Sequence, residues 1–100
     1  MTAPLPRQLR SLVLLALDDN LISGEGMIVF AEAVASADAL PKLEMLDLDG
    51  NMIGDKGLDS LAESLRAGGL PSIKTVEIDD ELLGHVALVE ELAARGATLR

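Results

Sequence analysis

Residues 46–55, LDLDGNMIGD, carry Asp47, Asp49, Asn51 and Asp55 within nine positions. Oxygen-bearing side chains at alternate positions are how a calcium loop begins. Such a loop needs acids or Asn at positions 1, 3 and 5, Gly at 6 and a bidentate Glu at 12. Counted from Asp47, Asp49 and Asn51 fall in place, but position 6 is Met52 and position 12 is Leu58. The missing glycine forbids the sharp turn, and the missing glutamate removes two ligand oxygens. The preceding KLEMLDL alternates apolar and polar residues, which is a strand's period, whereas a calcium loop is entered from a helix. The acids therefore do not make a calcium loop, and no metal site is assigned.

Other reactive chemistry is equally sparse. His85 is the single histidine, so there is no multi-histidine metal site and no second base around a Ser–His pair; it is expected at the start of the last helix, facing solvent. Ser11, Ser23, Ser36, Ser60, Ser64 and Ser72 lie in no nucleophile-elbow context. RAGGLP and SGEGM lack the lysine of a phosphate cradle and read as helix ends and turns. The absence of cysteine excludes disulfides and thiolate metal sites. The chain thus reads as non-catalytic and without a cofactor. Its net charge of −9 argues against nucleic acid and anionic membrane as partners, because phosphate binding needs clustered Lys and Arg. No apolar run reaches the roughly 18 residues of a membrane span. MTAPLPRQLR shows no charged-then-apolar leader, so the expected location is the cytoplasm.

The elements that position the acids emerge from a repeat. Thirty-one residues upstream lies LALDDNLISGEG, which pairs Leu12 with Leu43, Leu15 with Leu46, Leu17 with Leu48 and Asn20 with Asn51. Ile22 then matches Ile53, and Gly26 matches Gly57. A weaker third copy places Ile73, Val76, Ile78 and Leu83 thirty residues after Leu43, Leu46, Leu48 and Ile53. Such periodicity marks stacked supersecondary units, none of which can bury its apolar face alone. In each unit LxxLxL predicts a short strand, with Leu46 and Leu48 on one face and Met45, Asp47 and Asp49 on the other. A helix follows, with the apolar stripes Met27, Phe30, Ala31, Val34; Leu58, Leu61, Ala62, Leu65; and Val89, Leu92, Ala93. Strand, turn, helix and return within about 31 residues give parallel strands joined by right-handed crossovers.

The stretch LEMLDLDGNMIGDKGLDSLAESL, with its LxxLxLxxNxIGDxG opening, resembles the long, helix-containing leucine-rich repeats typified by ribonuclease inhibitor. The resemblance covers residues 9–96, closely in the second copy, nearly so in the first, and loosely in the third, where Glu81 stands in place of Asn. It implies an α/β fold: a right-handed β-α solenoid of about three repeats, with a short parallel sheet on the concave face and helices on the convex face. The expected boundaries are a thin or poorly ordered arm at 1–8, repeats at 9–39, 40–69 and 70–96, and a tail at 97–100. In that family the asparagine side chain turns inward and satisfies the backbone of the turn, a ladder that Asn20 and Asn51 would form here. Glu81 fits a solvated terminal unit.

Within this frame the outward strand positions line the concave face. Asp18, Asp49 and Asp79 align as one row, flanked by Asp47 and Glu77 and by Asp19, Gly50 and Asp80, with Met45 on the same face. Strands stand about 4.8 Å apart, so like charges in a row repel. Three uses stay open: plain solubility, steering of a basic protein partner, and weak sharing of a divalent cation. The favoured reading is a protein-interaction module that presents an acidic concave face to a basic protein surface. The alternative is a structural or self-assembling unit, or a segment of a longer repeat protein. In that case the apolar Val13, Leu14 and Ala16 on the first strand's edge would pair with a second copy as a homodimer.

Overall fold

The structure is a computed structural model that describes residues 7–100. The expected arm at 1–8 lies largely outside the described residues; a short 3-10 helix, Arg7–Ser11, leads into the first strand. Four short strands, β1 (Leu14–Ala16), β2 (Met45–Asp47), β3 (Thr75–Glu77) and β4 (Thr98–Leu99), form one parallel sheet in the order β1-β2-β3-β4. Helices α1 (Gly24–Ala33), α2 (Gly54–Arg66) and α3 (Val86–Ala93) connect them in turn. The protein is therefore mixed α/β with three strand–helix units, an arrangement compatible with a leucine-rich solenoid. No helix among the described residues is long and apolar enough to cross a membrane.

The period visible in the sequence recurs in the hydrogen bonds. Before each of the first three strands, an amide three residues on closes the same turn: Leu12 to Leu9, Leu43 to Leu40 and Ile73 to Leu70. Val13 O then accepts from the amides of Glu44 and Met45, and Glu44 O accepts from those of Lys74 and Thr75. Across the sheet Leu14, Met45, Thr75 and Thr98 stand level, as do Leu15, Leu46, Val76 and Leu99. The second set points into the core, where Leu46 and Val76 are fully buried. A leucine buried to that extent contributes about 1.5–3 kcal/mol, and the core repeats it through Leu43, Leu48, Leu58, Leu61, Leu65, Leu88 and Leu92.

Burial is not shared evenly. Leu43, Leu46, Leu48 and Ile53 of the middle unit are at most 3% exposed. Their counterparts Leu12, Leu15, Leu17 and Ile22 are only partly buried against the core, because among the described residues β1 has a neighbouring strand on one side alone.

Three expectations need correction. The buried stripe of α3 is Leu88 and Leu92, not Val89, Leu92 and Ala93; Val89 and Ala93 are exposed. Leu88 stands thirty residues after Leu58 and Leu92 thirty-one after Leu61, so the offset changes within the helix and not before it. His85 is not solvent-facing: its side chain is 8% exposed. It caps α3, with Nδ1 accepting from the Leu88 amide at 3.2 Å and Nε2 2.8 Å from Asp59 Oδ1. The tail at 97–100 is an element of the sheet, since Thr98 and Arg100 donate to Lys74 O and Val76 O, and Arg100 O accepts from Ile78.

Candidate functional site: a carboxylate groove and a ladder of turns

Each of the strands β1, β2 and β3 runs into a turn that must reverse the chain toward the next helix, and each turn is rich in Asp. In the second turn Asp47 Oδ1 accepts from the Asp49 amide at 3.1 Å, the local bond that makes Asp a turn former. Gly50 has φ +73°, and a Cβ there would overlap the Asp19 carboxylate of the adjacent turn, so only glycine fits. Asp79 Oδ1 reaches from the third turn to accept the Gly50 amide at 2.9 Å. Carboxylates thus come together because neighbouring turns are stitched to one another by them.

The outcome is an open groove of about 550 Å³ lined by Asp18, Asp19, Asp47, Asp49, Gly50, Asp79, Asp80 and Glu81. Asp18, Asp19, Asp49 and Asp80 are exposed, while Asp47 and Asp79 are half-buried. Oxygens of Asp47, Asp49 and Glu77 lie within 4.8 Å of one another. The Asp49 carboxyl is held above its ordinary pKa, first by partial desolvation, then by a hydrogen bond with Asp79 and by repulsion from Asp79, Asp47 and Glu77. The trio offers three oxygens, whereas calcium takes six to eight.

Met45 and Glu77 do not line the groove. Met45 sits in the row of Leu14, Thr75 and Thr98 at the start of the strands, and Glu77 forms an ion pair with Arg100 at 3.3 Å. Arg100 places a cation on an otherwise acidic surface, and reading residues 97–100 as a tail concealed it. The signal was present: in ATLR, Ala97 and Leu99 alternate with Thr98 and Arg100 at a strand's period. Arg95 was missed too. Its guanidinium donates to Gly69 O and Leu70 O, each at 2.7 Å, and to Leu65 O, so it satisfies the carbonyl end of α2. Basic residues near helix C-termini commonly do this, but here the arginine comes from the next unit.

The two asparagines differ. Asn51 is 7% exposed and spans two units. Its Oδ1 accepts from the amides of Asn20 and Ile22 at 3.0 and 2.9 Å, and its Nδ2 donates to Leu17 O at 2.8 Å and Leu48 O at 2.9 Å. Between the two held amides lies Leu21, in the left-handed region with φ +56° and 81% exposed. Asn20, expected to turn inward as well, is exposed and donates only to Asp18 O of its own turn, at 2.9 Å. The reason is geometric: Asn51 reaches back to the preceding turn, and no such turn stands before Asn20 among the described residues. On the β1 edge Val13, Leu14 and Ala16 are all exposed, Leu14 at 54%.

No curated protein and no solved structure matches the chain. Residues 39–62, which hold β2, its turn with Asn51 and most of α2, match the family model for the leucine-rich repeat.

Proposed function

We propose that the chain is a non-catalytic protein-interaction module, a short solenoid of the ribonuclease-inhibitor-like subclass, whose carboxylate groove receives a basic segment of a protein partner. The observation that carries this reading is the concentration of uncompensated charge. Asp18, Asp19, Asp47, Asp49, Asp79 and Asp80 make no ion pair among the described residues, and after partial desolvation and a hydrogen bond with Asp79, repulsion from Asp79, Asp47 and Glu77 adds to the raised pKa of Asp49. A guanidinium or ammonium set among them replaces repulsion with attraction. In the cytoplasm, where we place the protein, charges are screened beyond about 8 Å, so a partner gains most once it enters the groove. Leucine-rich repeats commonly mediate protein–protein contacts, which agrees with this use.

The test is stopped-flow binding of a labelled Arg/Lys peptide across a salt series. The double variant Asp18→Asn, Asp49→Asn is compared with Glu32→Gln, Glu90→Gln, which removes the same charge from exposed helix positions. Groove binding predicts a clearly slower association for the first pair only. Equal slowing by both pairs means that net charge attracts the peptide and that the groove does not.

A second reading is favoured by the exposed Val13, Leu14 and Ala16: association through the edge of β1, of which a two-fold homodimer with antiparallel β1 strands is the closed form. Sedimentation of wild type and Leu14→Lys at matched concentrations tests it.

A further inference from the structure

We infer that the seam between α1 and α2 is a docking groove for one helix of a partner protein, amphipathic and basic along the border of its apolar face. The seam shares no lining residue with the carboxylate groove, and it stands whether or not that groove receives a partner.

The two helical seams of the protein are closed differently. Between α2 and α3, two side-chain bridges span the gap. Asp59 meets His85 at 2.8 Å and Arg66 meets Glu91 at 3.0 Å, with Arg66 also holding Glu63 at 3.1 Å. The repeat puts other residues in those places one unit earlier. Thirty-one residues before Asp59 and Arg66 are Ile28 and Ala35, and thirty-one before His85 and Glu91 are Gly54 and Ser60. Two apolar residues, a glycine and a serine cannot form either ion pair. The first seam is open at both places. Ile28 lines two adjoining cavities of about 470 and 350 Å³, the first bordered by Gly54 and the second by Ala35 and Ser60. Each is large enough to take a bulky side chain from outside.

The lining specifies the occupant. Ala31, 2% exposed, and the half-buried Ile28 and Ala35 make an apolar floor of mostly short side chains, over which another backbone can lie close. The second cavity is also incomplete in its polar groups. Ser64 is 3% exposed there and its hydroxyl has no hydrogen-bond partner among the described residues, a costly state for a buried polar atom. The charged side chains along the two cavities are Glu25, Glu32, Asp55 and Glu63 against the single cation Lys56. In the second seam the Arg66 guanidinium lies between Glu63 and Glu91. In the first seam Glu32 stands at the place of Glu63, but Ala35 stands at the place of the arginine. A Lys or Arg from a partner supplies that missing cation. Its aliphatic stem crosses Ala35, and its N–H groups donate to Glu32 and to the Ser64 hydroxyl.

The secondary structure of the occupant follows from the backbone. Amides and carbonyls of α1 and α2 are used within their own helices, so the seam has no strand edge to offer, and a segment lying in it must satisfy its own backbone. A helix does so. Ile28 and Ala35 are seven residues apart, about 10 Å at the helical rise. The fitting helix therefore carries an apolar residue for the first cavity and a Lys or Arg about two turns away on the same face.

The probe is an alanine-based helical peptide with Leu and Arg seven residues apart, titrated into the full chain while its amide chemical shifts are recorded. Shifts are expected to concentrate at Ile28, Ala31, Ser64 and Ala67. Replacing either the Leu or the Arg of the peptide by Ala is expected to weaken binding by about tenfold or more. The double variant Ala35→Arg, Ser60→Glu builds the bridge of the second seam into the first; it is expected to fold and to lose about as much affinity. Asp18→Asn, Asp49→Asn, which alters only the carboxylate groove, is expected to bind the peptide as wild type does. Three results overturn the docking groove: no shifts at the seam with millimolar peptide, shifts confined to the carboxylates at the strand ends, or undiminished binding by the double seam variant. Should that variant not fold, Ile28→Asp, which copies the residue of α2 at the matching position, takes its place. Binding unchanged by Ile28→Asp overturns the groove, and binding weakened by it, with the shifts at the seam, supports it.

Discussion

Asn51→Ala is expected to be the most damaging single polar substitution in the protein. The side chain makes four bonds of 2.8–3.0 Å, two accepted and two donated. A typical bond contributes about 0.5–1.5 kcal/mol net, and a buried group left without a partner costs about 1–3 kcal/mol. The Leu48 carbonyl is buried, whereas the Asn20 and Ile22 amides and the Leu17 carbonyl are partly wet and can recover water. The sum then falls at about 2–4 kcal/mol, against about 5–15 kcal/mol for a whole domain. With a urea m-value of about 1–3 kcal/mol per molar, the midpoint drops by about 0.7–4 M. Asn20→Ala and Glu81→Ala, both at exposed positions, are expected to stay within about 0.5 kcal/mol of wild type. Asn51→Asp separates the two halves of the carboxamide. It keeps an acceptor for the two amides but sets a carboxylate against the Leu17 and Leu48 carbonyls, so it too is expected to be destabilising. Urea melts of the four variants are the assay. If Asn51→Ala loses no more than Asn20→Ala, the ladder does not hold the turns and the assigned register is wrong.

The remaining expectations concern the groove, one strained residue and one arginine. The folded-state pKa of Asp49 lies above its unfolded value, about 3.9 for an unperturbed Asp. Ionised Asp49 therefore weakens the fold above the folded pKa, and the penalty disappears as pH falls below the unfolded one. Asp49→Asn is expected to melt higher than wild type at pH 7, more so at low salt, with the gap closing toward pH 3; a variant that melts lower at pH 7 shows that the carboxylate holds the turn. Leu21→Gly removes a left-handed conformation that costs a leucine about 1–2 kcal/mol and adds about 0.5–1 kcal/mol of glycine entropy. A gain of up to about 1 kcal/mol is expected in the same melts, and a loss means that the exposed leucine makes contacts of its own. Arg95→Ala strips the Leu65 carbonyl in the last turn of α2 and the Gly69 and Leu70 carbonyls beyond it of a charged donor, at about 1.5–3 kcal/mol. At about 4–8 °C per kcal/mol, thermal melts are expected to fall by roughly 6–24 °C, and a shift under 3 °C refutes the capping role.

Much of this was legible in the sequence because it is local or periodic. Alternation in KLEMLDL dictates a strand, the 3.6-residue spacing of Leu58, Leu61 and Leu65 dictates a helix face, and the copy at thirty-one residues dictates that the units stack. Met52 and Leu58 in the wrong places exclude a calcium loop without any coordinates. Alignment of the copies also places Asp18, Asp49 and Asp79 side by side, since register follows from the repeat. Tertiary structure decided whatever depends on what lies across a boundary between units. Asn20 and Asn51 occupy equivalent positions in the repeat, yet Asn51 has a turn behind it to bind and, among the described residues, Asn20 has none. Arg95 and Arg100 have no partner within hydrogen-bond range in sequence; one closes the end of α2 and the other neutralises Glu77 on β3. The buried face of α3 is Leu88 and Leu92, at offsets of thirty and thirty-one residues from Leu58 and Leu61, and which offset each position keeps shows only when the helix is packed. A repeat specifies the interior of a stack, where every unit meets the same neighbours, but not its ends, where the neighbours differ.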